Sequence, residues 1–266
     1  MKIPKQLEPI KKELESTIKP YLKITPTFSN SLTLWESKFG GYPYFPKALD
    51  YPKNPEGQPL VLLAQINFSD ILLLEGFPKE GILQFYIDSH HDLYGFDDED
   101  MTNQAHFRVL YFDKLDFDES NLITDFSFLP NIDDLETFLP FIGSFSLTFE
   151  HKHEPISGCD YRLENLIEDF ADESEEDLDF CDLADEYLEF YEGEEHKLGG
   201  YPFFTQDDPR MDLDETIEPY ELLFQMVSDD GADIMWGDAG VGNFFIQPSA
   251  LEKLDFSRVI YYYDCC

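Results

Sequence analysis

Cationic side chains are scarce in this sequence. Its 266 residues include 18 Lys and Arg against 56 Asp and Glu, which gives a formal charge of −38. Nucleic acids and anionic membranes are bound by Lys and Arg that neutralise phosphates, so we expect neither as a partner. A basic protein is the partner that such a charge would attract, although a chain that only needs to stay in solution would gain from the same charge.

Cysteines and long apolar segments are also few. The four cysteines, at positions 159, 181, 265 and 266, are too few and too scattered for a disulfide framework. No stretch approaches the 18 apolar residues of a membrane helix, and the first residues, MKIPKQLEPIKKELEST, lack the apolar core of a signal peptide. We therefore expect a cytoplasmic protein.

Sequence motifs of catalysis and of cofactor binding are missing as well. The chain has no Gly-x-Ser-x-Gly, no Cys-x-x-Cys, no His-Glu-x-x-His and no phosphate-binding Gly-Lys-Ser/Thr. The segments 90–92 and 151–153 contain two histidines each, but not at the spacing of a known metal site. We predict no cofactor and no metal, and we favour a protein without enzymatic activity while leaving that activity open.

Apolar patterning predicts a mixed α+β protein. The apolar fraction is 42%, and 25 Phe and 15 Tyr favour a sheet with a substantial core. Residues 60–66, 82–88 and 142–150 have the patterns of strands. Apolar residues recur at helical spacing from Ile3 to Leu22, where Pro20 should end or kink the helix, and again through the acidic segment 160–196. We expect one or two helices with a solvated acidic face in that segment.

Four blocks of sequence occur twice in the same order. Residues 38–45, KFGGYPYF, match 197–204, KLGGYPFF; the other pairs are 62–66 with 222–226, 81–85 with 242–246, and 108–111 with 258–261. The offsets are nearly constant, and a longer first-half loop at 97–100 explains the shorter last one. We predict an internal duplication: two β-rich subdomains, 30–115 and 195–265, packed with pseudo-two-fold symmetry. A strand and acidic helices in 116–194 would connect them within one composite domain, 1–266.

These blocks resemble the signature of the YwqG-like family of uncharacterised bacterial proteins. The resemblance rests on the segments SKFGGYP (37–43), LAQIN (63–67), LGGYP (198–202), QDDPR (206–210) and WGDAG (236–240), and it covers roughly residues 37 to 264. Two positions depart from the family pattern: Lys38 stands where Arg is common, and Tyr51 stands where Trp is common. The resemblance implies a fold, but no activity and no catalytic residue.

Residues that recur in both halves, with one aromatic–acidic pair, form the candidate binding surface. The glycine pairs are expected to form tight turns with positive φ, or to hold an anion through backbone N–H groups. The two glutamines lie late in apolar strands, where they could line a cleft or satisfy backbone groups. The Trp and Asp suit a cation or peptide, or else a buried ring beside a turn-capping carboxylate. The set is Gly40, Gly41, Tyr42, Gln65, Gly199, Gly200, Tyr201, Gln225, Trp236 and Asp238.

Two classes of function fit these observations. The first is a non-enzymatic binding protein, in its sharpest form an immunity-type protein whose acidic face covers a basic toxin. The acidic segment around residues 164–195 is then the expected face, with Glu175, Glu176, Asp177 and Asp179 as the carboxylates to neutralise. The alternative is an enzyme or small-ligand binder that uses the cleft between the two repeats.

Overall fold

One nearly closed antiparallel sheet dominates the computed structural model, which describes residues 1–130, 137–174, 179–214 and 216–266. In these residues it has ten strands: β1 (Lys19–Phe28), β2 (Lys38–Gly40), β3 (Val61–Asn67), β4 (Ile82–Ile87), β5 (Phe107–Phe112), β6 (Ser144–Glu154), β7 (Lys197–Gly199), β8 (Glu221–Val227), β9 (Val241–Ile246) and β10 (Ile260–Asp264). The protein is a β-rich α+β domain, as the composition predicted.

Short helices accompany the sheet. The α-helices are α1 (Lys11–Ser16), α2 (Tyr161–Glu173), α3 (Phe180–Leu188) and α4 (Pro248–Glu252), and 3-10 turns cover Lys5–Ile10, Phe68–Asp70, Glu119–Asn121 and Pro209–Asp212. Within the described ranges, none of the helices has the length and apolar character that crossing a bilayer requires.

On each side of the central pair, the four outer strands follow one another in chain order: β7, β8, β9 and β10 lie outward from β1, and β2, β3, β4 and β5 lie outward from β6. The full order is β10-β9-β8-β7-β1-β6-β2-β3-β4-β5, with β1 and β6 paired in the middle. The pairs β3–β4 and β8–β9 each have one register shift, at Leu62/Ala64 and at Leu222/Phe224. The connection from β4 to β5, residues 88–106, is longer than that from β9 to β10, residues 247–259. The longer first-half loop is therefore confirmed.

The N-terminal segment differs from its sequence prediction. A helix was expected up to Pro20, but α1 ends at Ser16 and β1 begins at Lys19, so Leu22 lies in a strand. Pairing with β6 along all of β1 overrides the local helical spacing. β1 tolerates Pro20 and Pro26, which lack a backbone donor, because β7 pairs only with the stretch 21–23 between them.

Aromatic side chains join the two ends of the sheet across its interior. The Phe85 ring lies 4.7 Å from that of Phe224 and 4.8 Å from that of Phe244. Near the outer strands, the Phe107 and Tyr261 rings are 5.2 Å apart. Such large buried rings contribute much of the apolar area removed from water. They occupy the space between the two ends of the sheet, so a ligand site must be sought closer to its turns.

Candidate functional site

Two Gly-Gly-Tyr turns follow β2 and β7. Their glycines have positive φ: +61° at Gly40, +67° at Gly41, +68° at Gly199 and +76° at Gly200. Residues other than glycine rarely adopt this left-handed backbone conformation, and the predicted turn with positive φ is therefore confirmed. A Cβ on Gly40 would also lie 2.4 Å from the Gly143 carbonyl oxygen, which leaves no room for a side chain there.

A buried lysine stands two residues before each glycine pair. In the second turn, Lys197 Nζ donates to both carboxylate oxygens of Glu154, at 3.0 Å each. The Tyr201 N–H donates to Glu154 Oε1 at 2.7 Å. The Glu154 carboxylate therefore ties the lysine to the turn by charge-assisted hydrogen bonds.

Lys38 occupies the matching place before the first turn and has different partners. Its side chain is 1% exposed, and Nζ donates to the carbonyl oxygens of Thr33 and of Tyr42, the latter at 3.0 Å. Burial lowers the pKa of Lys38 to about 8, and the nearby negative charge of Glu36 opposes this shift. Sequence reasoning left these two lysines out of the candidate surface, although their recurrence in both blocks was a signal for them.

The Gln65 side chain is buried and uses all of its hydrogen-bonding capacity. Its Oε1 accepts from the Tyr44 N–H at 2.9 Å and from Gln84 Nε2 at 2.7 Å. Its Nε2 donates to the carbonyl oxygens of Leu34 and Glu36, at 2.8 Å each. The amide thus links β3 to the segment before β2 and to Tyr44, which lies two residues after the Gly-Gly-Tyr turn.

Gln225 makes the matching bonds in the second half. Its Oε1 accepts from the Phe203 N–H at 2.7 Å, and its Nε2 donates to the carbonyl oxygens of Gly193 at 2.9 Å and Glu195 at 2.8 Å. Both glutamines satisfy backbone groups that would otherwise be buried without partners. This is the second of the two roles that the sequence allowed.

A cavity of about 470 Å³ opens beside the first Gly-Gly-Tyr turn. Tyr42 lines it and is 59% exposed, with its ring stacked on Phe126 at 4.7 Å. Leu32 and Leu62 supply further apolar lining. The volume and lining are those of a small-molecule or side-chain binding site.

A second cavity, of about 390 Å³, lies beside Gly199, Gly200 and Tyr201. Charged side chains line it and neutralise one another: Arg162 Nη1 donates to Glu221 Oε1 at 2.6 Å, and Lys19 Nζ donates to Glu221 Oε2 at 2.8 Å. Lys19 Nζ also sits 3.8 Å from the centre of the Tyr201 ring, in a cation–π contact. These groups partner one another, whereas the first cavity has an apolar lining.

The structure separates Trp236 from Asp238. The Trp236 ring is fully buried, 5.2 Å from the Tyr94 ring and 5.8 Å from the Tyr263 ring. Asp238 is exposed, and its backbone carbonyl oxygen accepts from the Cys266 N–H at 3.1 Å. The indole is part of the core, so the two side chains do not form a joint surface.

Helices α2 and α3 have one apolar and one acidic side. Leu163 and Ile167 of α2 and Leu183 and Tyr187 of α3 are buried in one cluster with residues of the N-terminal segment. Six exposed carboxylates on these helices and at the end of α3 define what we call the acidic face: Glu164, Glu168, Asp169, Asp185, Glu186 and Glu189. Burial raises the pKa of Glu164, and the negative charges of Asp207, Asp208 and Glu168 raise it further. The negative charges nearest to Glu164 therefore act against its ionised form.

The four carboxylates singled out from the sequence cannot all be placed on this face. Glu175, Glu176 and Asp177 lie outside the described residues. Asp179 is exposed and caps the N-terminus of α3, where its Oδ1 accepts from the Cys181 N–H at 2.9 Å. Its replacement would remove a helix cap as well as a charge, so the residues of the acidic face are better targets for mutation.

These features define a β-rich α+β domain with paired Gly-Gly-Tyr turns, and most of its sequence matches one protein family. Residues 37–265 match the family described as a domain of unknown function, DUF1963, and the chain belongs to that family. No curated protein matches the sequence. The family match starts after β1, although β1 lies at the centre of the sheet.

Proposed function

We propose that this protein is a non-enzymatic binding protein that recognises a basic protein through the acidic face. The observation that carries the proposal is the set of six exposed carboxylates on one pair of helices; for Glu164 among them, burial and then its acidic neighbours raise the pKa. Arg162, the cation at the start of α2, is already paired with Asp160 and Glu221. A cationic surface would relieve the repulsion among these carboxylates.

The arrangement suits capture by electrostatic steering. The carboxylates project from helices that are fixed on the body of the protein by their buried apolar residues, such as Leu163 and Tyr187. Charges of one sign on a rigid surface accelerate the encounter with an oppositely charged partner and select against acidic proteins. An immunity-type protein that covers a basic toxin is the sharpest form of this proposal.

The test compares two variants of equal charge. The first neutralises the acidic face by Glu→Gln and Asp→Asn at its six positions. The control neutralises six exposed carboxylates elsewhere: Glu56, Glu80, Asp92, Asp98, Glu99 and Asp113. The partner is captured from native cells, and its association rate is measured against ionic strength.

We expect the acidic-face variant to associate about tenfold more slowly at low salt, and the control to change about twofold or less. Solvated carboxylates contribute little to stability, so both variants should unfold at the wild-type urea concentration. A rate that does not depend on salt, an acidic partner, or equal effects in the two variants would contradict the proposal.

We further infer that the two ends of the sheet descend from one duplicated subdomain, and that the chain belongs to the YwqG-like group within its family. The matching bonds of Gln65 and Gln225 and the shared strand order support the duplication. We also propose a cytoplasmic location, which the four free cysteines support.

A second candidate function is small-ligand binding. The cavity beside Tyr42 favours it, because a pocket of about 470 Å³ with a largely apolar lining is a common setting for small ligands. This function does not require an enzyme.

A further inference from the structure

The gap between the two end strands, β5 and β10, which we call the seam, is bridged along only part of its length. The Tyr261 N–H on β10 donates to the Met101 carbonyl oxygen at 3.0 Å. The Gln104 side chain crosses the seam: its Oε1 accepts from the Val109 N–H of β5 at 3.0 Å, and its Nε2 donates to the Phe256 carbonyl oxygen at 2.7 Å. The connection between β4 and β5 therefore supplies the groups that join the two end strands.

The register of β5 decides which of its backbone groups face the seam. Residues of an antiparallel pair alternate between hydrogen-bonded and non-hydrogen-bonded positions. The Asp88 N–H donates to the His106 carbonyl oxygen at 2.8 Å, and the ladder between β4 and β5 continues from there without a register shift. The even-numbered residues from 106 to 112 therefore bond to β4, and the backbone groups of the odd-numbered residues from 107 to 111 face the seam.

Tyr111 and Tyr261 hold matching places on the two end strands. They end the matching blocks 108–111 and 258–261, and their ladder partners on β4 and β9 also belong to a matching pair of blocks. The Tyr261 N–H bonds to Met101, as described above. The Tyr111 N–H has no hydrogen-bond acceptor among the described residues. One end strand thus has a backbone partner at a position where its counterpart has none.

A groove of about 670 Å³ opens at this end of the seam. Val109, Leu110 and Tyr111 line one side of it, and Leu254 and Phe256 line the other. Within the part of the chain that the structure describes, the carbonyl oxygens of Val109 and Tyr111 accept no hydrogen bond. The open edge of β5 therefore offers one backbone donor and two backbone acceptors.

Arg108 adds a positive charge to the same groove. Its Nε and Nη2 donate to the Gln104 carbonyl oxygen at 3.2 and 3.0 Å, which is a neutral acceptor. Among the described residues Arg108 forms no ion pair, although the chain has 56 Asp and Glu. A carboxylate on a neighbouring strand, opposite Arg108, would complement this charge.

We propose that the open end of β5 is a docking site for an extended segment of a partner polypeptide. The segment would pair antiparallel with β5, accepting from the Tyr111 N–H and donating to the carbonyl oxygens of Tyr111 and Val109. Its side chains would be apolar beside Leu110 and Phe256, and one carboxylate would lie opposite Arg108. Unused backbone groups on an edge strand are what an added strand requires.

A segment of another protein suits this edge better than a second copy of the same chain. Two copies would each bring a formal charge of −38 to the interface, and charges of the same sign repel. None of the acidic-face residues lines the groove, so this inference does not rest on the proposed function.

The test titrates the whole protein with the peptide Ac-Thr-Val-Ile-Val-Glu-Lys-NH2. In the proposed register, its first Val lies opposite Tyr111 and its Glu lies opposite Arg108. Amide NMR follows the binding, and hydrogen exchange is measured at the Tyr111 N–H. We expect a Kd below about 1 mM and at least about tenfold slower exchange of that N–H in the complex, because it gains an acceptor.

Two substitutions of one residue isolate the backbone donor. Tyr111→Pro removes the N–H, which the ladder with β4 does not use, whereas Tyr111→Val keeps the N–H and removes the ring. We expect Tyr111→Pro to weaken peptide binding about tenfold or more, and Tyr111→Val about threefold or less. If Tyr111→Pro does not fold, peptide methylation decides: N-methylation of the first Val should block binding, whereas N-methylation of Ile, whose N–H points away from β5, should not.

The carboxylate is tested by exchanging Glu for Gln in the peptide. This change should weaken binding about threefold with the wild-type protein and less than about 1.5-fold with Arg108→Met. A Kd above about 1 mM or equal effects of Tyr111→Pro and Tyr111→Val would overturn the proposal. Slow exchange of the Tyr111 N–H in the free protein, growing slower with protein concentration, would also overturn it and would point to a second copy on this edge.

Discussion

Removal of the Gln65 amide should destabilise the protein strongly. In Gln65→Ala, four hydrogen bonds are lost: two accepted from Tyr44 N and Gln84 Nε2, and two donated to the carbonyl oxygens of Leu34 and Glu36. Each contributes about 1 kcal/mol net, so the free energy of unfolding should fall by about 4 kcal/mol. That is a large part of a typical total of about 5–15 kcal/mol.

Gln225→Ala provides an internal comparison. Its amide makes three matching bonds, to Phe203, Gly193 and Glu195, so we expect a loss of about 3 kcal/mol. Gln6→Ala, at an exposed position of the first 3-10 turn, is the control and should change stability by about 0.5 kcal/mol or less. The assay is urea unfolding followed by Trp fluorescence. A loss below about 1 kcal/mol for Gln65→Ala would refute the structural role of the amide and restore its candidacy as a ligand contact.

Two further predictions concern ionisation. Burial alone would raise the pKa of Asp160, but hydrogen bonds from Arg162 and the charge of Arg210 hold this pKa well below its usual value. A carboxylate whose pKa is lowered in the folded state stabilises the protein at pH values above its unfolded pKa of about 4. The free energy of unfolding should therefore fall as the pH drops below about 4, and it should fall less steeply in Arg210→Met. Urea unfolding between about pH 2 and 6 measures this, and an unchanged slope in the variant would contradict it. Burial raises the pKa of the Cys159 thiol to about 11, whereas Cys181 is exposed. Iodoacetamide at about pH 8 should therefore label Cys181 before Cys159, as peptide mass spectrometry would show, and faster labelling of Cys159 would contradict this prediction.

Sequence patterns predicted three strands, because the apolar pattern of each is local. The apolar run at 60–66 corresponds to β3, the alternation at 82–88 to β4 and the alternation at 142–150 to β6. β1 could not be predicted in the same way. Its prolines and its helical spacing argue against a strand, and only the long-range register with β6, which pairs Lys19 with Glu154, makes it the centre of the sheet.

The backbone conformation of the glycines in the candidate site could be predicted from the sequence, but the hydrogen-bond partners of the other site residues could not. Two Gly-Gly-Tyr-Pro blocks require a special backbone conformation, and spacing alone reveals that. The partners of Gln65, such as Leu34, precede it by about thirty residues in a segment without a periodic pattern. The sequence left Trp236 either as a binding aromatic beside Asp238 or as a buried ring, and packing against Tyr94, from the first half of the chain, places it in the core.

Lys38 and Lys197 show that two matching positions of the repeated motif can have different hydrogen-bond partners. The two lysines occupy the same place in the same motif, so sequence alone treats them as equivalent. Their difference comes from Glu154, which lies 43 residues before Lys197 and reaches it through the end of β6. In the first half, Lys38 Nζ instead donates to the carbonyl oxygens of Thr33 and Tyr42. A buried ammonium must have partners in either case, and the two halves supply them differently: one uses a carboxylate from a distant strand, and the other uses backbone groups of its own turn.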